Sequence, residues 1–222
     1  MSDKKQMLRE IEMEVRDTRS MIGRSALDSR VMQAMKMVPR HEFVPVGSRH
    51  AAYYNGPLPI GHGQTISQPY IVALMTDLLE PKADDVVLEV GTGSGYQAAV
   101  LSRVVRQVYS LEIIDALSQR ASAILQRLGY DNVTCRVGDG YDGWPEQAPF
   151  DGIIVTAASP NIPQPLVDQL KPGARLVIPI GLPYSYQELM VAVKEESGGI
   201  SVTDVLGVAF VPLTRKREES ED

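Results

Sequence analysis

Three carboxylates in this chain stand where a bound molecule could use them. In "VLEVGTGSGYQ" (87–97), Glu89 precedes a run of glycines, Gly91, Gly93 and Gly95. Glu112 ends the apolar run "QVYSLE", and Asp139 lies in "GDG", next to Gly140. Glycines between a strand and a helix let the backbone turn sharply and come close to a ligand, because no Cβ intervenes. The helix start adds free N–H groups. The spacing is G-x-G-x-G, not the G-x-G-x-x-G of a pyrophosphate-binding turn, and no phosphate-loop lysine accompanies it. An anion at Glu89 would repel a phosphate. It suits a ligand carrying positive charge, hydroxyls or amines. Glu112, about 20 residues past the turn, is placed to accept both hydroxyls of a ribose, and Asp139 to accept from an adenine amine. Any one of the three alone reads as a solvated strand end. Together they describe a site for a nucleoside without phosphates, and S-adenosylmethionine has the matching parts: ribose, adenine and a cationic amino acid.

A second stretch, "GHGQTISQ" (61–68), brings His62, Thr65 and Ser67 together between glycines and a following helix. The residues alone leave two readings open. It is a polar connector, with Thr65 or Ser67 capping the helix "QPYIVALMTDLLE" and Pro69 near its first position. Or it carries part of an active site.

The elements that must position these groups follow from periodicity. Met7, Leu8, Ile11 and Val15 have helical spacing, as do Val31, Met32, Met35 and Val38 in a helix over 28–38, capped by Asp28 or Ser29 and stopped by Pro39. Residues 39–67 read as a long irregular stretch with four Pro and four Gly; segments of this kind in compact domains are often functional. From residue 85 strands alternate with helices: "DVVLEV", "QVYSLEI", "NVTCRVGDG", "FDGIIVTAA" and "ARLVIPIG" are strands, with Pro172-Gly173 closing the short helix "PQPLVDQL". "QELMVAVKEE" and "GISVTDVLGVAFVPL" are two further strands joined at "SGG". The pattern predicts an α/β fold, a Rossmann-like doubly wound, mostly parallel sheet with an antiparallel C-terminal edge, plus N-terminal helices. We expect one domain: residues 1–80 with the N-terminal helices and the 61–68 loop, an α/β core over 81–214, and a charged tail over 215–222.

Composition sets outer limits. The chain has 222 residues, 44 % hydrophobic and 23 % charged, with a net charge of −6. That is ordinary for a globular domain and argues against a broad nucleic-acid-gripping face. The single cysteine, Cys135, permits no intrachain disulfide, which suits a reducing cytosol. It is expected to be buried and without catalytic role. "NVTC" (132–135) reads as a chance match to a glycosylation signal. The charged start has no apolar core of signal-peptide length, and no run of about 18 apolar residues exists. The expectations are a cytoplasmic location and no membrane partner. Three His and one Cys show no metal-ligand spacing, so no metal is expected.

The glycine turn, "YSLE", "FDGIIVTAA" and "LKPGARLVIPIG" resemble the class I S-adenosylmethionine-dependent methyltransferases. "AMKMVPRHEFVP", "GHGQTISQP" and "FVPLT" narrow the resemblance to the protein-L-isoaspartate O-methyltransferase family, from about residue 20 to 214. The family implies methyl transfer from S-adenosylmethionine, leaving S-adenosylhomocysteine, to the free α-carboxylate of isoaspartyl residues in damaged proteins and peptides, which starts their repair. It implies Ser67 as the active-site residue, read here as a positioning hydrogen-bond donor acting with Thr65 and Ile66. Thr214 matches a position on the substrate side. His41 reads as a structural residue, and His62 as near the loop or facing solvent. Tyr53 and Tyr54 either wall a peptide groove or pack a loop. The segment after the fourth strand, "VTAASPN" (155–161), lacks the Asn- or Asp-Pro-Pro-aromatic pattern of enzymes that methylate base amines. We expect a monomer acting on isoaspartyl proteins and not on nucleic acid. The competing readings are a class I methyltransferase for a small molecule or RNA, and a nucleoside-binding module without catalysis.

Overall fold

A computed structural model describes residues 3–183 and 185–215; the tail beyond Arg215 lies outside the described residues. Helix α1 (Lys4–Asp17) starts where the Asp3 side chain accepts the Gln6 N–H at 2.6 Å and buries Met7, Ile11 and Val15 along one face. The short α2 (Arg19–Ile22) ends at Gly23, whose φ of +68° only glycine adopts readily. Helix α3 (Ser29–Met37) is capped by Asp28 as expected and stops at Val38, before Pro39. Its buried residues are Val31, Ala34 and Met35; Met32 is only half-buried.

Residues 39–67 are not irregular throughout. Two 3₁₀ turns, Arg40–Glu42 and Val46–Ala51, lead into a β-hairpin. Strand β1 (Leu58–Gly61) pairs with β2 (Gln64–Ile66) in the register Leu58↔Ile66, Pro59↔Thr65. His62 and Gly63, both at positive φ (+54° and +70°), make the two-residue connection, as tight hairpins require. His62 is an exposed turn residue.

Helix α4 (Pro69–Leu78) is buried on nearly every side. The core then runs β3 (Val86–Val90), α5 (Tyr96–Leu101), β4 (Gln107–Glu112), α6 (Asp115–Arg127), β5 (Val133–Val137), β6 (Phe150–Val155), α7 (Gln164–Asp168), β7 (Leu170–Gly181), β8 (Gln187–Lys194) and β9 (Ile200–Val208). The seven strands lie in the order β5-β4-β3-β6-β7-β8-β9. The first five are parallel; β8 and β9 join as an antiparallel meander. The strand order reverses between β3 and β6, and ligands of such sheets bind outside the strand ends at that point.

Pro172-Gly173 does not close α7. The helix has ended at Asp168, and β7 has already paired Leu170 with Phe150. The pair interrupts β7 before pairing resumes at Gly152↔Arg175, with Lys171 held to Asp151 at 2.6 Å. Asn132 of the "NVTC" segment donates to the carbonyls of Ser102, Val105 and Arg106, so it ties α5's exit to β5. Cys135 is half-buried, and its thiol is pushed up to about 11 by burial. Among the described residues no helix is long and apolar enough to cross a membrane.

Side chains on β3 alternate between two cores, as the pleat demands. Val87 packs with the N-terminal helices, α4 and α5. Leu88 and Val90 pack with Leu111, Phe150 and Trp144 on the other face. In the N-terminal half, Arg40 of "PRHEF" is wholly buried. Its Nε donates to Ala52 O at 2.8 Å and its Nη2 to Gly56 O at 3.4 Å, and the guanidinium lies 4.8 Å from the Tyr96 ring centre.

Candidate active site

The glycine turn is built from the sheet upward. The Gly91 and Thr92 amides both donate to Leu111 O, at 2.8 and 3.0 Å, and Gly95 N donates to Thr92 O. Glycines 91, 93 and 95 all have positive φ. At Gly91 a Cβ would stand 2.4 Å from Thr156 Oγ1, so the site demands glycine for space as well as for φ. Gly95 serves a different end. It caps α5, and a Cβ there would press on Ala121 and Leu125 of α6.

Glu112 holds the turn from the β4 tip. Its Oε2 accepts the Gly93 N–H at 2.8 Å and its Oε1 the Ile114 N–H at 3.0 Å. The side chain is buried, yet it lines the cleft above the turn. Each carboxylate oxygen keeps acceptor capacity beyond one N–H, as a ribose diol needs. The opposite wall is backbone: Gly138 and Gly140 line the cleft, and a Cβ at Gly140 would meet Val90 Cγ1 at 2.4 Å. Asp139 between them turns back into its own loop, where Oδ1 accepts the Tyr141 N–H at 2.9 Å. The cleft is lined there by the flanking glycines, not by the Asp139 side chain.

Glu89 is a correction. It does not line the cleft; it is completely buried beneath the turn. Glu89 pairs with Ser110, one pleat repeat deeper than Glu112. There it accepts a short hydrogen bond from Ser110, whose hydroxyl also meets Thr92 Oγ1 at 2.6 Å. Burial pushes its carboxyl up to about 8, with the neighbouring Glu112 adding to the rise; the hydrogen bond from Ser110 opposes it, and Oε1 is left without a partner. It supports the turn as a largely neutral acid at pH 7.

A second cavity, of about 570 Å³, adjoins the first and is bounded by Ser67, Gln68, Ile71, Tyr186 and Phe210. Thr65 on β2 and Thr156 at the β6 tip line both cavities. Thr156 donates its hydroxyl to Gly91 O at 2.6 Å, which fixes it across the turn. Ser67 lines the groove, and among the described residues its hydroxyl has no hydrogen-bond partner. Neither Ser67 nor Thr65 caps α4: the N-cap is Gln68, without a side-chain cap bond. Ile66 is buried under the hairpin and closes a small recess behind the turn.

The C-terminal segment completes both cavities. Val211 and Leu213 bond to Ala158 at 2.8 Å each, which carries Thr214 onto the rim of the cleft. The Gln187 side chain bonds both main-chain groups of Phe210, at 2.6 and 3.1 Å, and sets the groove wall. His41 and Tyr53 lie apart from the groove and bond to each other at 2.7 Å. Tyr54 is exposed against Gly56.

Sequence reasoning missed Thr156, Gln68 and Gln187. Only Thr156 offered a signal, a hydroxyl at the tip of a nearly all-apolar strand at the switch point.

Residues 18–218 match the family described as Protein-L-isoaspartate(D-aspartate) O-methyltransferase. "Protein-L-isoaspartate O-methyltransferase 2" of Nitrosococcus oceani is 63 % identical over 98 % of this chain and 99 % of its own length. The protein of the same name in Syntrophobacter fumaroxidans is 62 % identical over 94 % of this chain and 84 % of its own. A solved protein-L-isoaspartate O-methyltransferase superposes with a TM-score of 0.81 at 29 % identity, covering 95 % of this chain and 65 % of that one. A Plasmodium falciparum structure described by the same activity, in complex with S-adenosyl-L-homocysteine, gives 0.78 at 26 % identity, over 97 % of this chain and all of that one. The chain belongs to the protein-L-isoaspartate(D-aspartate) O-methyltransferase family.

Proposed function

We propose that the cleft over the glycine turn holds S-adenosylmethionine and the adjoining groove holds the free α-carboxylate of an L-isoaspartyl residue in a damaged protein or peptide. The observation that carries this is the shared wall: Thr65 and Thr156 border both cavities, so donor and acceptor meet at one opening. Esterification of isoaspartyl residues is the activity of the family, and it initiates their repair. A small-molecule or RNA acceptor is not favoured, since relatives alike over almost their whole length bear the isoaspartyl name.

The residues present fit the cofactor. Glu112 would take the ribose, the Gly91–Gly93 backbone the amino-acid portion, and the Gly138–Gly140 backbone the base. Bound there, S-adenosylmethionine supplies a methyl on a positively charged sulfur, which passes to a carboxylate oxygen and leaves S-adenosylhomocysteine.

The acceptor needs no general base. An α-carboxyl has a pKa of about 3.3–3.7 and is already an anion at neutral pH. The chain must align it and strip its water. Among the described residues no carboxylate lines the groove to repel it. Ser67 offers an uncommitted hydroxyl donor, and the Thr65 and Ile66 backbone sits beside it. Thr214 closes the cofactor side of the opening.

The test is incubation with labelled S-adenosylmethionine and paired peptides bearing isoaspartate or aspartate. Base-labile label should enter only the isoaspartyl peptide; equal labelling of both, or none with S-adenosylhomocysteine still binding, rejects the reading. Ser67→Ala should lower kcat/KM for the isoaspartyl peptide about 10- to 150-fold, the loss of one hydrogen bond to a charged group. S-adenosylhomocysteine affinity should stay put. An unchanged kcat/KM removes Ser67 from the acceptor site.

A further inference from the structure

The family match begins at residue 18 and leaves α1 outside it. Helix α1 nevertheless reaches the acceptor groove. On its inner face, beside Ile11 and Val15, the half-buried Glu14 accepts three hydrogen bonds from two carboxamides. Asn55 Nδ2 donates to Oε1 at 2.6 Å; Gln68 Nε2 donates to Oε1 at 2.9 Å and to Oε2 at 3.1 Å. Those two residues are the ends of the segment 55–68 that contains the β1–β2 hairpin. Gln68 directly follows Ser67, lines the groove and begins α4. Asn55 in turn accepts the Tyr70 N–H at 3.1 Å, and the Tyr70 hydroxyl meets Thr18 Oγ1 at 2.6 Å. One carboxylate therefore joins both ends of the acceptor segment to the helix.

We propose that Glu14 is a positioning residue for methyl transfer: by binding Asn55 and Gln68 at once, it fixes segment 55–68 so that Ser67 stands at the acceptor groove. The proposal rests on the reading of Ser67 as an acceptor-side donor. An ionised carboxylate can only accept hydrogen bonds, so it fits two NH₂ groups converging from different parts of the chain. Hydrogen bonds to a charged group are the strong ones. The hairpin's internal pairing stops at Leu58↔Ile66; beyond it the ends are tied by the Asn55–Tyr70 bond and by Glu14, which alone of the two reaches Gln68. Glu14 touches neither cavity and acts only through Gln68 and Asn55.

The experiment uses the full chain with Glu14→Gln, Glu14→Ala, Gln68→Ala and the Glu14→Ala/Gln68→Ala double variant. Glu14→Gln keeps size and helix propensity but turns an NH₂ toward donors that need an acceptor. Hydrogen exchange should quicken about tenfold across 58–67 in both Glu14 variants and stay at wild-type rates across β4 and β6. For an isoaspartyl peptide, kcat/KM should fall about tenfold, and the double variant should lose little more than either single one, because the two residues act as a unit. The Kd for S-adenosylhomocysteine, measured by calorimetry, should change less than about twofold, since no cofactor-side contact is altered. A merely stabilising residue would lower Tm and leave kcat/KM per folded molecule alone. Wild-type exchange across 58–67, unchanged kcat/KM, or independent losses that multiply in the double variant each overturn the proposal. Failure of the wild-type chain to label isoaspartyl peptides would reject the substrate instead; the exchange measurement still decides whether Glu14 holds the segment.

Discussion

Replacing Glu112 by alanine should raise the dissociation constant for S-adenosylhomocysteine at least about 100-fold, by calorimetry on the folded variant, because the ribose loses hydrogen bonds to a charged group, worth about 1.5–3 kcal/mol each, while two half-buried amides that shape the cleft lose their acceptor. Those amides are Gly93 N–H, inside the glycine turn, and Ile114 N–H, just past β4. The carboxylate thus shapes the floor of the cleft as well as offering itself to the ribose. A hydroxyl–carboxylate bond is charge-assisted and short, so its loss adds to the loosening of the turn. Glu112→Gln separates the two effects. It keeps the length of the side chain, but its NH₂ must face one of the two backbone N–H donors. Its affinity should fall between wild type and Glu112→Ala. An alanine variant that binds within about twofold of wild type would take Glu112 out of the site.

Glu89 predicts an unusual dependence of stability on pH. Its carboxyl lies at about 8 in the folded chain, chiefly through burial, against an ordinary 4.5. Between those values the folded state keeps a proton that the unfolded state releases. Stability from this group is full below about 4.5 and is lost as pH rises toward 8, with a slope of up to about 1.4 kcal/mol per pH unit. This is the reverse of an ion-paired carboxylate, which stabilises as pH rises. Glu89→Gln should abolish that slope while leaving the rest of the profile. Denaturant unfolding at pH 5, 6, 7 and 8 measures it. The variant should gain on the wild type at every step upward. Parallel profiles across the window would mean that Glu89 does not hold the proton.

The sheet was legible from the sequence because its strands are short apolar runs between turn residues, and runs buried on both faces leave little ambiguity. Glycine spacing identified the turn for the same reason: few other residues reach those φ values. What failed was depth. Glu89 and Glu112 look equivalent in sequence, each an acid near a strand end. Pleat parity puts them on the same side, but one repeat apart, and that repeat separates a cleft wall from a buried support. Asp139 shows the same limit, since its place in "GDG" cannot say whether the side chain or the backbone meets the ligand. The hairpin was invisible for another reason. Its strands have four and three residues, Pro59 interrupts the pattern, and His62-Gly63 lacks the Asn-Gly signature of a tight turn. Thr156 and Gln187 matter through partners remote in sequence, Gly91 and Phe210, which no local motif encodes. Ser67 and Thr65 stood out in sequence as hydroxyls in a glycine-bracketed stretch, but the choice of Ser67, and Thr214 altogether, came through family resemblance.

Arg40 carries one more consequence. Its guanidinium stays charged at neutral pH, although burial brings it down to about 10. Among the described residues no carboxylate pairs with it; the carbonyls of Ala52 and Gly56 and the face of Tyr96 stand in for water, and Nη1 is left without a hydrogen-bond partner. Losing either carbonyl would strip a buried cation that already has one nitrogen unpartnered, which is strongly unfavourable. Partial dockings of residues 40–56 should therefore be disfavoured: the segment that delivers the hairpin to its place should close as a unit, and its slowest-exchanging amides should open together.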